Sequence, residues 1–280
     1  MCRSPVHLAL VAVLAVACRS STEPGPAHGP RTSRVVTFGD SNTDRGVVGG
    51  SFAEASYISS DSTARLAPTA PNGIHQLAGK IEALSTASDT LRAVNHAISG
   101  SNTGTGKNDV DGSANARGVW NGITRFEAEV LGLGAPTWDT GDGLPRVQAF
   151  TPTARDFVYV SMGTNDLFYG ITPAQTVANL HWMVDRWAQA GLPPSHFILT
   201  TLPPAAIAGY ADEIPAVNDG IRQLAALRGL SLIDLATHVS ADNGATWRSD
   251  TLHIGDGVHY REPVRQWLAE QVAAIARDTP

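Results

Sequence analysis

From Arg34 onward, short apolar β-branched runs alternate with stretches of helical periodicity, and that alternation leaves few architectures open. Strands are expected near 34–38, 91–97, 157–162, 196–201 and 230–234, and helices near 72–84, 119–131, 173–190, 215–228 and 262–276. The helix at 173–190 carries the fullest signal. Thr172 is placed to cap it and Pro173 sits in its first turn. Val177, Leu180, Val184 and Trp187 form an apolar stripe at helical spacing, and Gly191 ends it. Strands separated by helices make βαβ units, whose right-handed crossovers build a parallel sheet covered on both faces. With 280 residues, 42% hydrophobic and 16% charged, the chain suffices for one large α/β domain and is short for two. Periodicity alone leaves the strand order open.

The first strand, Val35-Val36-Thr37-Phe38, breaks at Gly39 and runs into Asp40-Ser41-Asn42-Thr43-Asp44. A serine just past such a strand stands on a rigid scaffold and faces the crevice where open α/β sheets place their ligands. Taken alone, the segment reads equally well as a turn in which Asp40 or Ser41 caps the next helix. Far along the chain, Asp256-Gly257-Val258-His259 sets a histidine three residues after a carboxylate. That spacing on a tight loop brings both side chains to one side. Hydroxyl, imidazole and carboxylate are the groups nucleophilic acyl transfer needs, since a base must take the hydroxyl proton and a carboxylate must orient the base. Ser41, His259 and Asp256 are therefore the candidate nucleophile, general base and base-orienting acid.

An attacked ester carbonyl also needs donors for its developing negative charge. The backbone N–H of Ser41 is one candidate, at a strand-to-helix turn. Gly100 is a second, because a residue without Cβ lets its N–H approach closely. The side-chain amide of Asn165 is a third, in Gly163-Thr164-Asn165-Asp166 directly after the apolar strand Val158 to Met162. Asp40, Asp44 and Asp166 read more simply as turn or helix caps, and His253 as a minority candidate for the base.

Phe38-Gly39-Asp40-Ser41, Asn95-His96-Ala97-Ile98-Ser99-Gly100, Gly163-Thr164-Asn165-Asp166 and Asp256-Gly257-Val258-His259 resemble, in order and spacing, the four sequence blocks of the GDSL/SGNH hydrolase family. The resemblance spans about residues 34–277. It implies a three-layer α/β/α sandwich with a flavodoxin-like parallel sheet of about five strands. It further implies a serine esterase acting through an acyl-enzyme, with Ser41, Gly100, Asn165 and His259 as the residues that give the family its name. One position departs from the pattern: the family's usual leucine after the serine is Asn42.

Residues 1–18 resemble a signal peptide, with Arg3, an apolar stretch from Leu8 to Ala17 and small residues at Ala15-Val16-Ala17. The apolar run is shorter than the roughly 20 residues a membrane-spanning helix needs. Cys18 resembles a bacterial lipidation site, which would attach the protein to a membrane, while cleavage after Ala17 with free secretion stays open. Either way the expected location is extracytoplasmic. Cys2 lies in the segment that would be removed, so the mature chain could form no internal disulfide. Residues 19–33, with Pro24, Pro26 and Pro30, read as a flexible linker, leaving 34–280 as the hydrolase domain.

A formal charge of −6 carries no electrostatic footprint for nucleic acid. No spacing of His, Cys, Asp or Glu marks a metal site and no Gly-rich phosphate loop occurs, so no cofactor is expected. The expected partner is a small-molecule or glycan acyl ester. Stretches 43–70, 101–118 and 132–154 should frame the cleft, and Ser, Thr, Asn, Asp and Gly dominate them. A cleft for long acyl chains would carry apolar linings instead. The expectation is a short acyl group on a polar, carbohydrate-like alcohol, with Trp120, Trp138, Phe168, Tyr169 and Trp247 as rings that could stack on a sugar or serve ordinary packing. Acyltransferases, lysophospholipases and thioesterases use the same constellation, and an inactive glycan-binding module would share the scaffold.

Overall fold

The computed structural model describes residues 30–44, 76–97, 100–104, 121–133, 150–206 and 209–280. The signal-like segment with Cys18, the linker before Pro30, the greater part of the cleft-framing stretches, Trp120 and Trp138 lie outside the described residues.

Five strands form one sheet: β1 (Arg31–Gly39), β2 (Asp89–Asn95), β3 (Phe157–Ser161), β4 (Phe197–Thr200) and β5 (Ser231–Ile233). All neighbours are parallel and the order is β2-β1-β3-β4-β5. This is the flavodoxin-like order, and its direction of growth reverses between β1 and β3, where such sheets open a crevice at their carboxyl edge. The expected strands are all present. The largest shift is at the start of β1, which begins at Arg31, inside the stretch whose composition reads as linker. A ladder needs only backbone groups, and Arg31, Thr32 and Ser33 pair with Asp89, Thr90 and Leu91 while the Arg31 guanidinium meets the Asp89 carboxylate at 2.8 Å.

The helices are α1 (Ser41–Asp44), α2 (Leu77–Ala83), α3 (Gly122–Glu129), α4 (Thr164–Phe168), α5 (Pro173–Gln189), α6 (Ile214–Arg228), α7 (Leu235–Val239) and α8 (Glu262–Asp278). Capping residues alone point to helices at α1 and α4, and α7 is unexpected, because one turn of helix offers no periodicity to detect. Alternation along doubly covered strands sorts the core into two layers. Val36, Phe38, Val158, Val160 and Leu199 pack with Phe126 of α3, Leu180 and Trp187 of α5, and Val217 and Ile221 of α6. Val35, Phe157, Tyr159 and Ile198 pack with Ile81 of α2, Leu235 of α7, and Val264, Leu268 and Val272 of α8. Each fully buried side chain of this size contributes about 1.5–3 kcal/mol. None of the described helices is long and apolar enough to cross a membrane.

Helix α5 keeps its expected ends: the Thr172 hydroxyl accepts from Gln175 N at 3.3 Å, and Gly191 follows at φ 74°. Its buried face is rotated from the expected one. Thr176 and Asn179 are buried with Leu180, Met183, Val184 and Trp187, whereas Val177 is only half-buried and leans on Gly220 of α6. The first turns of α5 face a polar network beside the site, which is why polar residues occupy core positions there.

Candidate active site

Strand β1 delivers Ser41 to the crevice through a turn with no room to spare. A Cβ on Gly39 would lie 2.5 Å from Thr43 Oγ1 and 2.8 Å from the Ser161 carbonyl of β3, so only glycine fits. After it, Asp40 turns the chain: its Oδ1 accepts from Asn42 N at 3.0 Å and its carbonyl from Thr43 N at 3.1 Å. Ser41 follows at the first position of α1, 9% exposed. The Asp44 side chain lies outside the described residues.

Three expected residues come together in line. Ser41 Oγ and His259 Nε2 are 2.8 Å apart, and His259 Nδ1 and Asp256 Oδ2 are 2.6 Å apart. The other oxygen of Asp256 accepts from the backbone N–H of Val258 and of His259, each at 2.9 Å, so one carboxylate shapes the loop and orients the ring it carries. Burial would raise the Asp256 carboxyl, yet the hydrogen bonds from the His259 ring and from the two backbone N–H groups outweigh it and hold the group at about 2. Asp256 is thus ionised throughout the neutral range. His253 serves the same loop differently: its Nδ1 accepts from Gly255 N at 3.1 Å and Gly257 N at 3.2 Å. It is a loop-bracing acceptor with no hydrogen bond to Ser41.

The opposite wall is built on β2 and β3. Gly100 has φ 85°, a left-handed conformation that disfavours any side chain. Among the described residues, neither its N–H nor that of Ser41 donates a hydrogen bond. Asn165, in the first turn of α4, donates from Nδ2 to the Ser101 carbonyl at 2.9 Å. That bond fixes the amide plane and uses one of its two protons. The fully buried Asp166 is more than a cap. It accepts from Thr103 N at 2.7 Å, from the Thr103 hydroxyl, and from Thr176 Oγ1 at 2.7 Å, binding α4, α5 and the loop after β2 into one unit.

Beneath that loop lies an ion pair that composition did not announce. Arg125 and Glu129, both fully buried on α3, meet through Nε–Oε1 at 3.1 Å and Nη2–Oε2 at 2.8 Å. The guanidinium also donates to Ser101 Oγ at 2.9 Å and to the His96 carbonyl, and lies 4.8 Å from the centre of the Phe38 ring. Burial pushes the His96 imidazole down to about 4, so it stays neutral. A charged pair at i and i+4 on an otherwise apolar helix face was the available signal.

Asp256 also borders a cleft of about 530 Å³ lined by Ala206, Thr246, Trp247, Asp250 and His253. Trp247 donates its indole N–H to the Gly257 carbonyl at 2.8 Å and lies against His253 with ring centres 5.2 Å apart. Phe168, one turn beyond Asn165 on α4, is 57% exposed and meets Tyr169 edge-on at 5.5 Å and Tyr210 at 6.5 Å. Among the described residues no group of three His, Cys, Asp or Glu side chains could hold a metal ion.

The profile of the GDSL-like lipase/acylhydrolase family matches residues 37–261. No curated protein matches the sequence. Among solved structures, a lipase/acylhydrolase from Enterococcus faecalis is similar at 21% identity, with 88% of this chain and 96% of that one covered and a TM-score of 0.53. A carbohydrate acetylesterase from Sinorhizobium meliloti shares 16% identity, with 88% and 98% covered and a TM-score of 0.57. An aryl esterase from M. smegmatis also shares 16% identity, with 89% and 100% covered and a TM-score of 0.56. At these identities the likeness is one of fold.

Proposed function

Because the chain belongs to the GDSL-like lipase/acylhydrolase family, and is thereby a carboxylic ester hydrolase, we propose that Ser41 is its nucleophile, His259 its general base and Asp256 the carboxylate that orients the base. The unbroken line from Ser41 Oγ through the His259 ring to Asp256, at 2.8 and 2.6 Å, carries this assignment. Ser41 Oγ attacks the acyl carbonyl as its proton passes to Nε2, and the carbonyl π electrons move onto oxygen. The N–H groups of Ser41 and Gly100 and the remaining amide proton of Asn165 receive that oxyanion. Collapse expels the alcohol, which takes the proton from the imidazolium. Water then repeats the sequence on the acyl-enzyme and frees the acid and Ser41.

The substrate we propose is a short acyl group on a polar, carbohydrate-like alcohol, met outside the cytoplasm by a protein carrying a lipid on Cys18. Two features support the alcohol. Phe168 stands at i+3 from Asn165, on the same face of α4, and its ring is exposed. The cleft next to Asp256 mixes one indole and three alanines with Thr246, Asp250 and His253, whose polar atoms suit hydroxyl groups. The test is hydrolysis of acetate, octanoate and palmitate esters and of acetylated sugars, with Ser41→Ala as the blank. Acetylated sugars should turn over fastest. Faster cleavage of palmitate esters would overturn the substrate assignment, and activity retained by Ser41→Ala would overturn the nucleophile.

A further inference from the structure

Asn42 replaces an apolar residue of the family pattern with an amide, and that amide uses both its nitrogen and its oxygen. Its side chain is 2% exposed. Nδ2 donates to the Val258 carbonyl at 3.3 Å, and Oδ1 accepts from Tyr260 N at 3.2 Å. The residue between those two partners is His259. One side chain thus grips the backbone on both sides of the base, with the donor and acceptor pattern a neighbouring strand would present. Asn42 is itself held from behind. Its N–H donates to Asp40 Oδ1 at 3.0 Å, and its carbonyl accepts from Nη2 of the fully buried Arg265 at 3.4 Å.

The geometry points to Asn42 as a positioning residue for His259. We propose that its amide fixes the separation between the nucleophile turn and the base loop, so that Nε2 is held at hydrogen-bond distance from Ser41 Oγ before any substrate arrives. The inference rests on the assignment of Ser41 and His259 made above. The other bonds reaching this segment explain why a further tie matters. Ala206 N and the Trp247 indole both donate to the Gly257 carbonyl, and the Asp256 turn is closed by its own side chain. Those contacts hold the loop to the β4 and β5 side of the sheet. The Asn42 amide ties the backbone on both sides of His259 to the turn that carries Ser41. Leucine has neither donor nor acceptor and could not make this connection.

The experiment is a double-substitution cycle on the full chain with an aryl acetate, rates being normalised to the active fraction titrated with a fluorophosphonate. Asn42→Leu should lower kcat by about 10- to 100-fold, the scale of a displacement near 1 Å in a reacting pair, with little change in KM. In a His259→Ala background, where rates are normalised to total folded protein, the same substitution should leave the residual rate unaltered, because the residue acts through the imidazole. An unchanged kcat for Asn42→Leu would overturn the proposal, and so would an equal loss in both backgrounds, which would mark a general structural role. Should Asn42→Leu misfold, Asn42→Asp keeps the size and the acceptor for Tyr260 N while losing the donor to Val258. The same cycle then applies, with a loss confined to the His259 background in support and an equal loss in both against. Ser41→Ala separates the two levels: inactive Ser41→Ala beside fully active Asn42→Leu removes only the role of Asn42.

Discussion

Asn165 Nδ2 stands 2.9 Å from the carbonyl oxygen of Ser101, so the loop leaving β2 sets the angle of an amide that α4 supplies. Asn165→Ala should therefore lower kcat on the order of 100- to 1,000-fold, the usual loss for one oxyanion donor, with KM nearly constant. Steady-state kinetics on an aryl acetate decides it. A rise in KM at constant kcat would make Asn165 a binding residue.

The Asp256 carboxyl, held at about 2, gives the pH profile its expected form. A depressed carboxyl is ionised above that value and takes up its proton only as pH falls through it, so mild acidification leaves Asp256 charged. Asp256 should then contribute no proton to the loss of activity in mild acid, and log kcat/KM should fall there with a slope no steeper than unity. A second proton in that limb would show Asp256 titrating.

Asp256→Asn is expected to lower kcat by about 10⁴-fold. Its Oδ1 would still accept from Val258 N and His259 N, preserving the loop. Its amide nitrogen would face His259 Nδ1 as a donor and favour the wrong tautomer. Circular dichroism and the denaturation midpoint should stay near those of the parent, and a collapsed fold would make Asp256 structural.

Removing one half of the buried Arg125–Glu129 pair leaves an uncompensated charge at a fully buried site. Glu129→Ala should destabilise the protein by about 3–5 kcal/mol, measured by denaturant unfolding. Arg125→Met with Glu129→Leu should recover most of that stability yet remain slow in catalysis, because Ser101 loses the donor at 2.9 Å that steadies the loop. Full activity of the double variant would dissociate the pair from the site.

For Cys18, a fatty-acid probe fed to cells should label the parent protein, and Cys18→Ala should move it from the membrane fraction to the soluble one. An unlabelled, soluble parent would decide for free secretion.

Sequence reasoning reached the residues whose chemistry is local and the elements long enough to repeat. Strand β3 declared itself through Val158 to Val160, and helix α5 through Thr172, Pro173 and Gly191. The meeting of Ser41, Asp256 and His259 was legible because a hydroxyl, an imidazole and a carboxylate are a rare combination at such places. What stayed hidden depends on neighbours remote in sequence. Nothing in the segment Gly163 to Asp166 tells that Asp166 will receive Thr103 and Thr176, and a turn asparagine gives no hint of partners 216 and 218 residues away. The start of β1 was misplaced for a related reason, since pairing with β2 ordered polar residues that local composition assigned to a linker.

Ser41 lies 218 residues before His259, just past β1, a strand paired on both sides between β2 and β3. A growing polypeptide therefore exposes its hydroxyl early and gains a base only after every strand has emerged. Fragments ending between Asn165 and Asp256 contain Ser41, Gly100 and Asn165 and still lack the proposed base. With Ser41 and His259 in the proposed roles, ester cleavage waits until the chain has been synthesised through His259.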